Sequence, residues 1–456
     1  MTRVLADSSE HSSENDELET AAPRRPGTGA AIAVTLGVAV SLAPGLLPRT
    51  PTAQGLLTGV LVALAVGAGG LLRMLLRRGP FDPDRRLRIP ILAGCALVVA
   101  AAVAQAWRWQ NRLRTAMGFP HAGLLYWLEC AVGATLVAAT LIGVCGGIRW
   151  ATRRVRRARG LSVALVAALA VPLALLPTLT GSQRPARAAA DPTGPQAVSL
   201  TAADRTGPAM NWSSLGSEGR RFMSGPGRAI RVYAGLESAP DLDSRVALAM
   251  RELEHSGGLS RGNIVVMVPT GSGWVDANAA TGMSRRFGGN VAMVALQYTD
   301  TPSWMSFLFD RRTAELSQRA LFSALEHRLS GLKHPPHLYI YGQSLGATAG
   351  SAVFTDDADQ RRRACAALWA GPPADRVHRS GATVLANSSD PVVQWSPELL
   401  WRAPDLTGVR PDAPHPQWVP FVTFVQTSAD LLSALSTPPG HGHRYGIDQG
   451  TALGGC

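Results

Sequence analysis

The sequence predicts two parts: an N-terminal all-α domain of membrane-spanning helices and a C-terminal α/β domain with a mainly parallel sheet. Nearly all long uncharged apolar runs lie before residue 180, and from residue 212 short apolar runs alternate with segments of helical pattern. The chain has 456 residues, of which 46% are hydrophobic and 17% charged. This composition supplies enough apolar surface to bury a core, so it excludes a disordered chain.

Five segments are long and apolar enough to cross a membrane, since a helix needs about 20 apolar residues to span the hydrocarbon core. They are residues 28–47, 54–72, 89–107, 124–148 and 160–180. A polar head at residues 1–27, which we expect to be disordered, precedes them, so the first segment is not typical of a signal peptide. Residues 181–211 are rich in Ala, Pro, Gly and Thr and are predicted to be a linker to the α/β domain at residues 212–456.

The arginines between these segments predict the orientation in the membrane. One arginine, Arg49, lies between the first two segments, and three lie between the third and the fourth. Six follow the second segment and six follow the fourth. Because short cytoplasmic loops are enriched in Lys and Arg, the N-terminus and both six-arginine loops are predicted to be cytoplasmic, and the α/β domain extracytoplasmic. Much of the net charge of +12 is therefore a topology signal, and nucleic acid is not an expected partner.

Short apolar runs in the C-terminal domain predict seven strands, and longer segments predict three helices. The strands are residues 230–234, 264–268, 291–297, 338–341, 366–369, 383–386 and 421–425, and the helices are residues 243–255, 311–330 and 345–353. This alternation predicts a parallel sheet with helices on both faces.

The main candidate for a catalytic motif is Gly342-Gln343-Ser344-Leu345-Gly346, which matches the pattern G-x-S-x-G. An apolar run precedes Ser344 and a helix of small residues follows it, which is the strand, sharp turn and helix of a nucleophile elbow. A second match at residues 258–262 precedes its strand, so we interpret Ser260 as a loop residue. Ser344 is the predicted nucleophile.

A serine hydroxyl needs a base and an orienting acid, and the sequence offers candidates for both further along the chain. Asp390 lies four residues after the end of the predicted strand 383–386 and is the preferred acid, with Asp405 and Asp430 as alternatives. The run Pro439-Gly440-His441-Gly442-His443-Arg444-Tyr445 offers two bases. His443 is preferred and His441 is the alternative.

The oxyanion of a tetrahedral intermediate needs two backbone donors. The N–H of Leu345, the residue after the nucleophile, is expected to be one of them. The other is expected in the loop 269–274, which follows an early strand, at Gly271 or Ser272. Trp274 either borders an acyl pocket or belongs to the core. No metal or cofactor is expected, because no further ligand cluster accompanies the two histidines.

Two of the five cysteines, Cys365 and Cys456, lie in the C-terminal domain, and the other three lie in or beside the apolar segments. In an oxidising envelope Cys365 and Cys456 could form a disulfide. The alternative, two free thiols, stays open at the level of sequence.

Four motifs carry a resemblance to a known family. They are Ile230-Arg231-Val232-Tyr233-Ala234-Gly235-Leu236, Pro269-Thr270-Gly271-Ser272-Gly273-Trp274-Val275-Asp276, Tyr341-Gly342-Gln343-Ser344-Leu345-Gly346 and Gly440-His441-Gly442-His443-Arg444-Tyr445. With the apolar segments before them, they resemble the actinobacterial membrane-bound α/β-hydrolases over residues 28–455. The resemblance implies an α/β-hydrolase fold and a serine esterase-like domain on the outer face of the membrane. Some members of that family are connected with the removal of aminoacyl groups from membrane lipids.

The sequence thus predicts a membrane-anchored serine hydrolase of the esterase or lipase type, with a lipid or aminoacyl-lipid ester as substrate. An acyltransferase that uses the same acyl-enzyme is a close alternative, because it differs only in the acceptor. A non-enzymatic membrane anchor or transport component with a hydrolase fold is the second alternative. The presence of a serine, a histidine and an aspartate in the order of a catalytic triad argues against it. The oligomeric state stays open.

Overall fold

The computed structural model describes residues 27–76, 85–157, 211–301 and 311–456. Two compact units divide the chain. One unit contains most of the N-terminal helices, and the other contains the segments Ala43–Thr50 and Ala106–Leu125 together with the C-terminal α/β region. The predicted polar head, apart from Gly27, lies outside the described residues, as do the fifth predicted span and the linker, apart from Asn211.

Apolar helices dominate the N-terminal region: α1 (Thr28–Ser41), α2 (Pro51–Leu75), α3 (Arg85–Ala116) and α4 (Leu124–Arg157). Among the described residues, three helices are long and apolar enough to cross a membrane: Pro51–Leu75, Arg86–Ala116 and Leu124–Thr152. The 14 residues of α1 are fewer than the predicted 28–47. Proline disrupts a helix interior, and Pro44 lies shortly after the end of α1.

Small residues bring the N-terminal helices close together. A Cβ on Gly37 of α1 would lie 2.7 Å from the Cα of Val62 in α2, and a Cβ on Gly59 of α2 would lie 2.6 Å from the Cβ of Val137 in α4. Contacts this short require glycine. They are the packing that membrane helices use, because lipid supplies no hydrophobic force between them.

A six-stranded parallel sheet forms the centre of the C-terminal unit. Its strands are β1 (Ile230–Ala234), β2 (Asn263–Val268), β3 (Val291–Leu296), β4 (His337–Gln343), β5 (Ala366–Ala370) and β6 (Ala382–Leu385), in the order β1-β3-β2-β4-β5-β6. In register, Val266 lies beside Ile340, and Tyr341 lies beside Leu368. The carboxyl end of β4 therefore lies between the ends of β2 and β5.

Helices cover both faces of the sheet, because alternate residues of each buried strand point to opposite sides. On one side Val266 and Ile340 pack with Phe322, and on the other Val265 and Tyr339 pack with Met283. The described helices of this region are α5 (Gly216–Met223), α6 (Leu242–His255), α7 (Ala277–Arg286), α8 (Arg311–Ser330), α9 (Leu345–Ser351), α10 (Asp357–Arg363), α11 (Pro391–Gln394), α12 (Val422–Asp430) and α13 (Asp448–Thr451). The predicted α/β fold class is confirmed.

The structure contains six of the seven predicted strands, and the seventh prediction is wrong. Residues 421–425 were expected to form a strand because they are β-branched and aromatic, but they lie at the start of α12. The buried positions of this helix, Gln426, Thr427 and Asp430, recur every three to four residues, which is a helical period. Tertiary contacts of these polar side chains outweigh the weak local preference for a strand.

A disulfide joins Cys365, just before β5, to Cys456, across a sequence separation of 91 residues. Crosslinks over long loops remove much conformational entropy from the unfolded chain.

Replacing both cysteines, Cys365→Ser and Cys456→Ser, should lower the free energy of unfolding by about 2–5 kcal/mol in denaturant titrations of the purified protein. Reduction of the wild type should reproduce the loss, whereas Cys145→Ser, at an exposed free thiol, should leave stability unchanged. Equal stability of the double variant and the oxidised wild type would contradict this expectation.

A buried ion pair between Arg49 and Asp430 connects the segment Ala43–Thr50 to α12. Arg49 donates two hydrogen bonds to Asp430, at 3.0 and 2.8 Å, and the backbone N–H of Leu46 donates a third at 2.7 Å. The two side chains are only 3% and 0% exposed. Beside this pair, Leu46 and Leu47 form a small apolar cluster with Met117, against which Ala413 packs. The C-terminal unit therefore includes loops that come from between the N-terminal helices.

Removal of one partner should be costly, because it leaves the other charge buried without compensation. Arg49→Leu should lower the free energy of unfolding by about 3–5 kcal/mol. The double variant Arg49→Leu, Asp430→Leu should recover most of this loss, since an apolar pair of similar volume replaces both charges. Denaturant titrations of the three proteins in the same detergent measure both values. A double variant no more stable than Arg49→Leu would show that the charge pair is not the cause.

Candidate active site

The nucleophile elbow forms where β4 meets α9. Ser344 has φ 55° and ψ −128°, a strained conformation for a residue other than glycine. A Cβ on Gly342 would lie 2.3 Å from the carbonyl oxygen of Gly346, and a Cβ on Gly346 would lie 2.5 Å from that of Val268. Both glycines of the motif are therefore required by backbone contacts, and the turn presents Ser344 at the carboxyl end of the sheet.

The second G-x-S-x-G match has none of these features. Ser260 lies in a short 3-10 helix, Gly258–Ser260, before β2, and its hydroxyl donates to the carbonyl of Gly257 at 2.7 Å. The structure thus places Ser260 on an exposed surface at the opposite edge of the sheet from Ser344.

Asp390 and His443 form a buried pair although 53 residues separate them. The Nδ1 of His443 lies 2.7 Å from the Oδ2 of Asp390, and their side chains are 7% and 0% exposed. The other carboxylate oxygen of Asp390 accepts from the N–H of Val392 at 2.8 Å, so the side chain caps α11. This cap fixes the carboxylate beyond the end of β6.

Backbone contacts bring His443 beside the elbow. The Nε2 of Gln343 donates to the carbonyl of His443 at 3.2 Å, and the N–H of Ser344 donates to the carbonyl of Ala370 at 2.9 Å. The next residue, Gly371, has φ 56°, and a Cβ there would lie 2.6 Å from the imidazole Cε1. Among the described residues, the Nε2 of His443 has no hydrogen-bond partner although it is buried. The edge of the imidazole opposite Asp390 is thus available for a proton.

Tyr445 completes the surroundings of Asp390. Its hydroxyl donates to the Oδ2 of Asp390 at 2.7 Å, and it also accepts from the N–H of Asn387 at 3.4 Å. Burial raises the pKa of the Tyr445 phenol well above its usual value, and the charge of Asp390 raises it further. The raised pKa favours the protonated phenol, which donates to Asp390.

The alternative base, His441, has a different partner. Its Nδ1 lies 3.0 Å from the Oδ2 of Asp412, and its side chain is 21% exposed. Asp412 also accepts from the hydroxyl of Ser388 and from the N–H of Ser389, both at 3.0 Å. The structure therefore contains two adjacent carboxylate–histidine pairs, Asp390 with His443 and Asp412 with His441. The predicted acid, Asp390, binds His443 and not the alternative base.

Neither alternative acid contacts either histidine. Asp405 lies in an exposed turn, where its Oδ1 accepts from the N–H and the hydroxyl of Thr407 at 2.9 and 2.7 Å. These hydrogen bonds hold the pKa of Asp405 below its usual value. Asp430 is occupied by Arg49 and Leu46, as described above.

The loop 269–274 follows β2 and lies directly beside the elbow. The carbonyls of Val268 and Pro269 would be 2.5 and 3.0 Å from a Cβ on Gly346. Two internal hydrogen bonds close the loop: Thr270 N–H to the carbonyl of Trp274 and Gly273 N–H to that of Thr270, both at 2.9 Å. Gly271 and Ser272 lie between these contacts. Leu345 is the first residue of α9, where a backbone N–H has no acceptor within the helix.

Family models match most of the chain. A model described as the alpha/beta-hydrolase family matches residues 230–383 and 376–453, and a model of that family's N-terminus matches residues 42–226. The chain belongs to this α/β-hydrolase family. No curated protein and no solved structure matches it. Membership accounts for the parallel sheet and for the apolar helices that precede it in the same chain.

In this α/β-hydrolase, four contacts of the site were not predicted from the sequence. They are the contact of Gln343 with the backbone of His443, the position of Gly371 beneath the imidazole, the pair of Asp412 with His441, and the bond from Tyr445 to Asp390. Gln343 is one of the two variable residues of the elbow motif, and Tyr445 follows His443 by two residues. Gln343, His441 and Tyr445 lie within the motifs quoted from the sequence, whereas no motif included Asp412 or Gly371.

The hydroxyl of Tyr445 should contribute more to stability than that of Tyr341. Both tyrosines are buried, but Tyr341 donates to a neutral acceptor, the Oε1 of Gln449, at 2.7 Å. Hydrogen bonds to charged groups contribute about 1.5–3 kcal/mol, and neutral ones about 0.5–1.5 kcal/mol. We therefore expect Tyr445→Phe to lower the free energy of unfolding more than Tyr341→Phe does, in parallel denaturant titrations. The reverse order would mean that Asp390 does not depend on Tyr445.

Proposed function

We propose that the protein is a membrane-anchored serine hydrolase of the esterase or lipase type, in which Ser344 is the nucleophile, His443 the base and Asp390 the orienting acid. One observation carries this proposal: the buried pair of His443 and Asp390 leaves the imidazole Nε2 without a partner in the described part of the chain, beside a strained serine turn. A merely structural histidine at such a buried position would have both ring nitrogens satisfied.

The reaction proceeds through an acyl-enzyme. The Nε2 of His443 takes the proton of Ser344 as the Oγ attacks the ester carbonyl, and the developing oxyanion accepts from the N–H of Leu345 and from Gly271 or Ser272. The C–O bond to the alcohol then breaks, and the alcohol leaves with the proton from Nε2. Water attacks the acyl-enzyme in the same way, releases the acid and restores Ser344.

Asp390 stabilises the imidazolium that forms in both steps and holds the tautomer with the proton on Nδ1. Tyr445 donates to the same carboxylate oxygen as His443, so it fixes the plane of the carboxylate without touching the substrate. Tyr445 is therefore a positioning residue in this proposal.

The proposed substrate is a lipid ester, including an aminoacyl-lipid ester. The chain joins the site to helices that are long and apolar enough to cross a membrane, so lipid esters are present at high local concentration. Transfer of the acyl group to an acceptor other than water would need no further protein group, and product analysis distinguishes the two outcomes.

Two observations support a position of the α/β domain outside the cytoplasm. The segments of the N-terminal region that belong to the same compact unit as this domain, Ala43–Thr50 and Ala106–Leu125, carry one and three arginines, whereas the six-arginine segments belong to the other unit. The disulfide of Cys365 and Cys456 fits an oxidising compartment.

A membrane-impermeant fluorophosphonate tests nucleophile, base and orientation in one experiment. Intact cells that express the wild type should be labelled, and Ser344→Ala should abolish the labelling. His443→Ala should slow labelling about 10³-fold or more, because the base is lost. His441→Ala is the matched control and should keep most of the labelling, since its partner is Asp412.

Each contrary result identifies which part of the proposal fails. Labelling only after lysis would place the domain in the cytoplasm. A stronger effect of His441→Ala than of His443→Ala would exchange the two histidines. Unchanged labelling in Ser344→Ala would exclude this serine as the nucleophile.

A further inference from the structure

Helix α12 and the turn that follows it have an inverted polarity. The side chains of Gln426, Thr427 and Asp430 are buried, whereas Phe421, directly before the helix, and Leu432, in the turn after it, are 67% and 76% exposed. A helix on the surface of a soluble domain normally has the opposite arrangement. The buried polar side and the exposed apolar side therefore both need an explanation.

The buried side is explained by the segment Ala43–Thr50. Arg49 and the N–H of Leu46 bind the carboxylate of Asp430, and Arg49 also donates to the carbonyl of Gln426 at 3.2 Å. Asp430 is thus satisfied by a loop that connects α1 to α2. Since α2 begins at Pro51, two residues after Arg49, this contact lies within about 7 Å of chain from a helix that could cross a membrane.

The exposed apolar side chains of this region extend beyond the helix itself. The N–H of Phe421 donates to the carbonyl of Leu400 at 3.1 Å, which joins the start of α12 to the turn that contains Trp401. The exposed apolar side chains of this region are 48% to 76% exposed, and we call them the apolar face: Trp401, Val419, Phe421, Leu432 and Leu435. Helix α12 has nine residues and is about 13 Å long, and the short 3-10 helix Leu431–Ser433 directly follows it.

We propose that the apolar face inserts into the interfacial layer of the lipid bilayer. An amphipathic helix in this layer buries its apolar side among the acyl chains to a depth of about 5–10 Å, and Trp and Phe are favoured there. Arg49, which binds Asp430, lies only two residues before the first residue of α2 in the chain, and we therefore infer that the bilayer is the apolar phase that this face meets. This inference rests on the proposed membrane anchorage and deepens the proposed activity toward lipid esters.

The same helical segment is connected to the catalytic base. The N–H of His443 donates to the carbonyl of Ala434 at 3.0 Å, and Ala434 lies between Leu432 and Leu435 of the apolar face. Because the apolar face and the proposed base are joined by this hydrogen bond, insertion of the face would bring the site to an ester that remains in the bilayer. The substrate class that follows is a membrane-resident lipid with an ester bond near its headgroup.

Photo-crosslinking of the full-length protein tests the proposal. Benzoylphenylalanine replaces Phe421, Leu432 or Leu435 in three separate variants, and each is reconstituted in phosphatidylglycerol–phosphatidylethanolamine vesicles that carry an alkyne on the acyl chain. After irradiation, a clickable dye measures the lipid bound to the protein. Replacement of Lys333, which is exposed before β4 and lies at the opposite edge of the sheet from Ser344, is the matched control.

We expect each of the three positions to capture lipid at least about fivefold more than position 333, in proportion to its burial among acyl chains. Lipid capture no greater than at position 333 would overturn the proposal. A crosslinked band of twice the monomer mass would also overturn it, because the apolar face would then bind a second copy. Position 421 exchanges one aromatic side chain for another, so it remains informative if the leucine variants do not fold.

The outcome is independent of the proposed chemistry. Lipid capture needs no catalysis, and fluorophosphonate labelling of the same variants reports separately whether Ser344 is reactive. Lipid capture without labelling would support the apolar face and refute the hydrolase activity, whereas labelling without lipid capture would do the reverse.

Discussion

Close approach of backbones at the end of β4 is the constraint on which the site depends. The turn at Ser344 has no room for a Cβ at Gly342 or Gly346, because the carbonyls of the next helix turn and of Val268 lie too near. The same crowding brings the loop after β2 beside the serine, and the hydrogen bond from Ser344 to Ala370 ties the turn to β5. Gly371 then leaves space for the imidazole. The carboxyl ends of three neighbouring parallel strands thus bring together the candidate nucleophile, a candidate oxyanion loop and the glycine beside the candidate base.

Two carboxylate–histidine pairs lie next to each other, but their hydrogen-bond partners differ. Asp390 is buried, binds the phenol of Tyr445 and leaves the far nitrogen of His443 without a partner among the described residues. Asp412 instead links His441 to Ser388 and Ser389, and the hydroxyl of Ser389 accepts from the N–H of Gly442 at 2.7 Å. Ser389, which binds Asp412, therefore holds the loop that carries His443 through the backbone of Gly442. Two glycines beside the histidines, Gly440 and Gly442, have positive φ values of 92° and 54°, which lets this loop turn sharply.

The parallel sheet and the elbow could be predicted because their signals are local: apolar runs of strand length, and glycines around a serine. The strand predicted at residues 421–425 was wrong, because these residues begin a helix whose fully buried side chains are the polar Gln426, Thr427 and Asp430. That pattern makes sense only with Arg49, which lies 381 residues away in sequence from Asp430. The choice between Asp390, Asp405 and Asp430 depends on similar long-range contacts. A single sequence holds no measure of which distant side chains meet, so such contacts could not be predicted.

The C-terminal unit is not a contiguous part of the chain. It includes Ala43–Thr50 and Ala106–Leu125, which are synthesised long before the sheet and are attached at both ends to apolar helices. The polar side of α12 can be satisfied only when those loops are already in place. A fragment that began at the predicted boundary near residue 211 would therefore lack Arg49, the buried partner of Asp430.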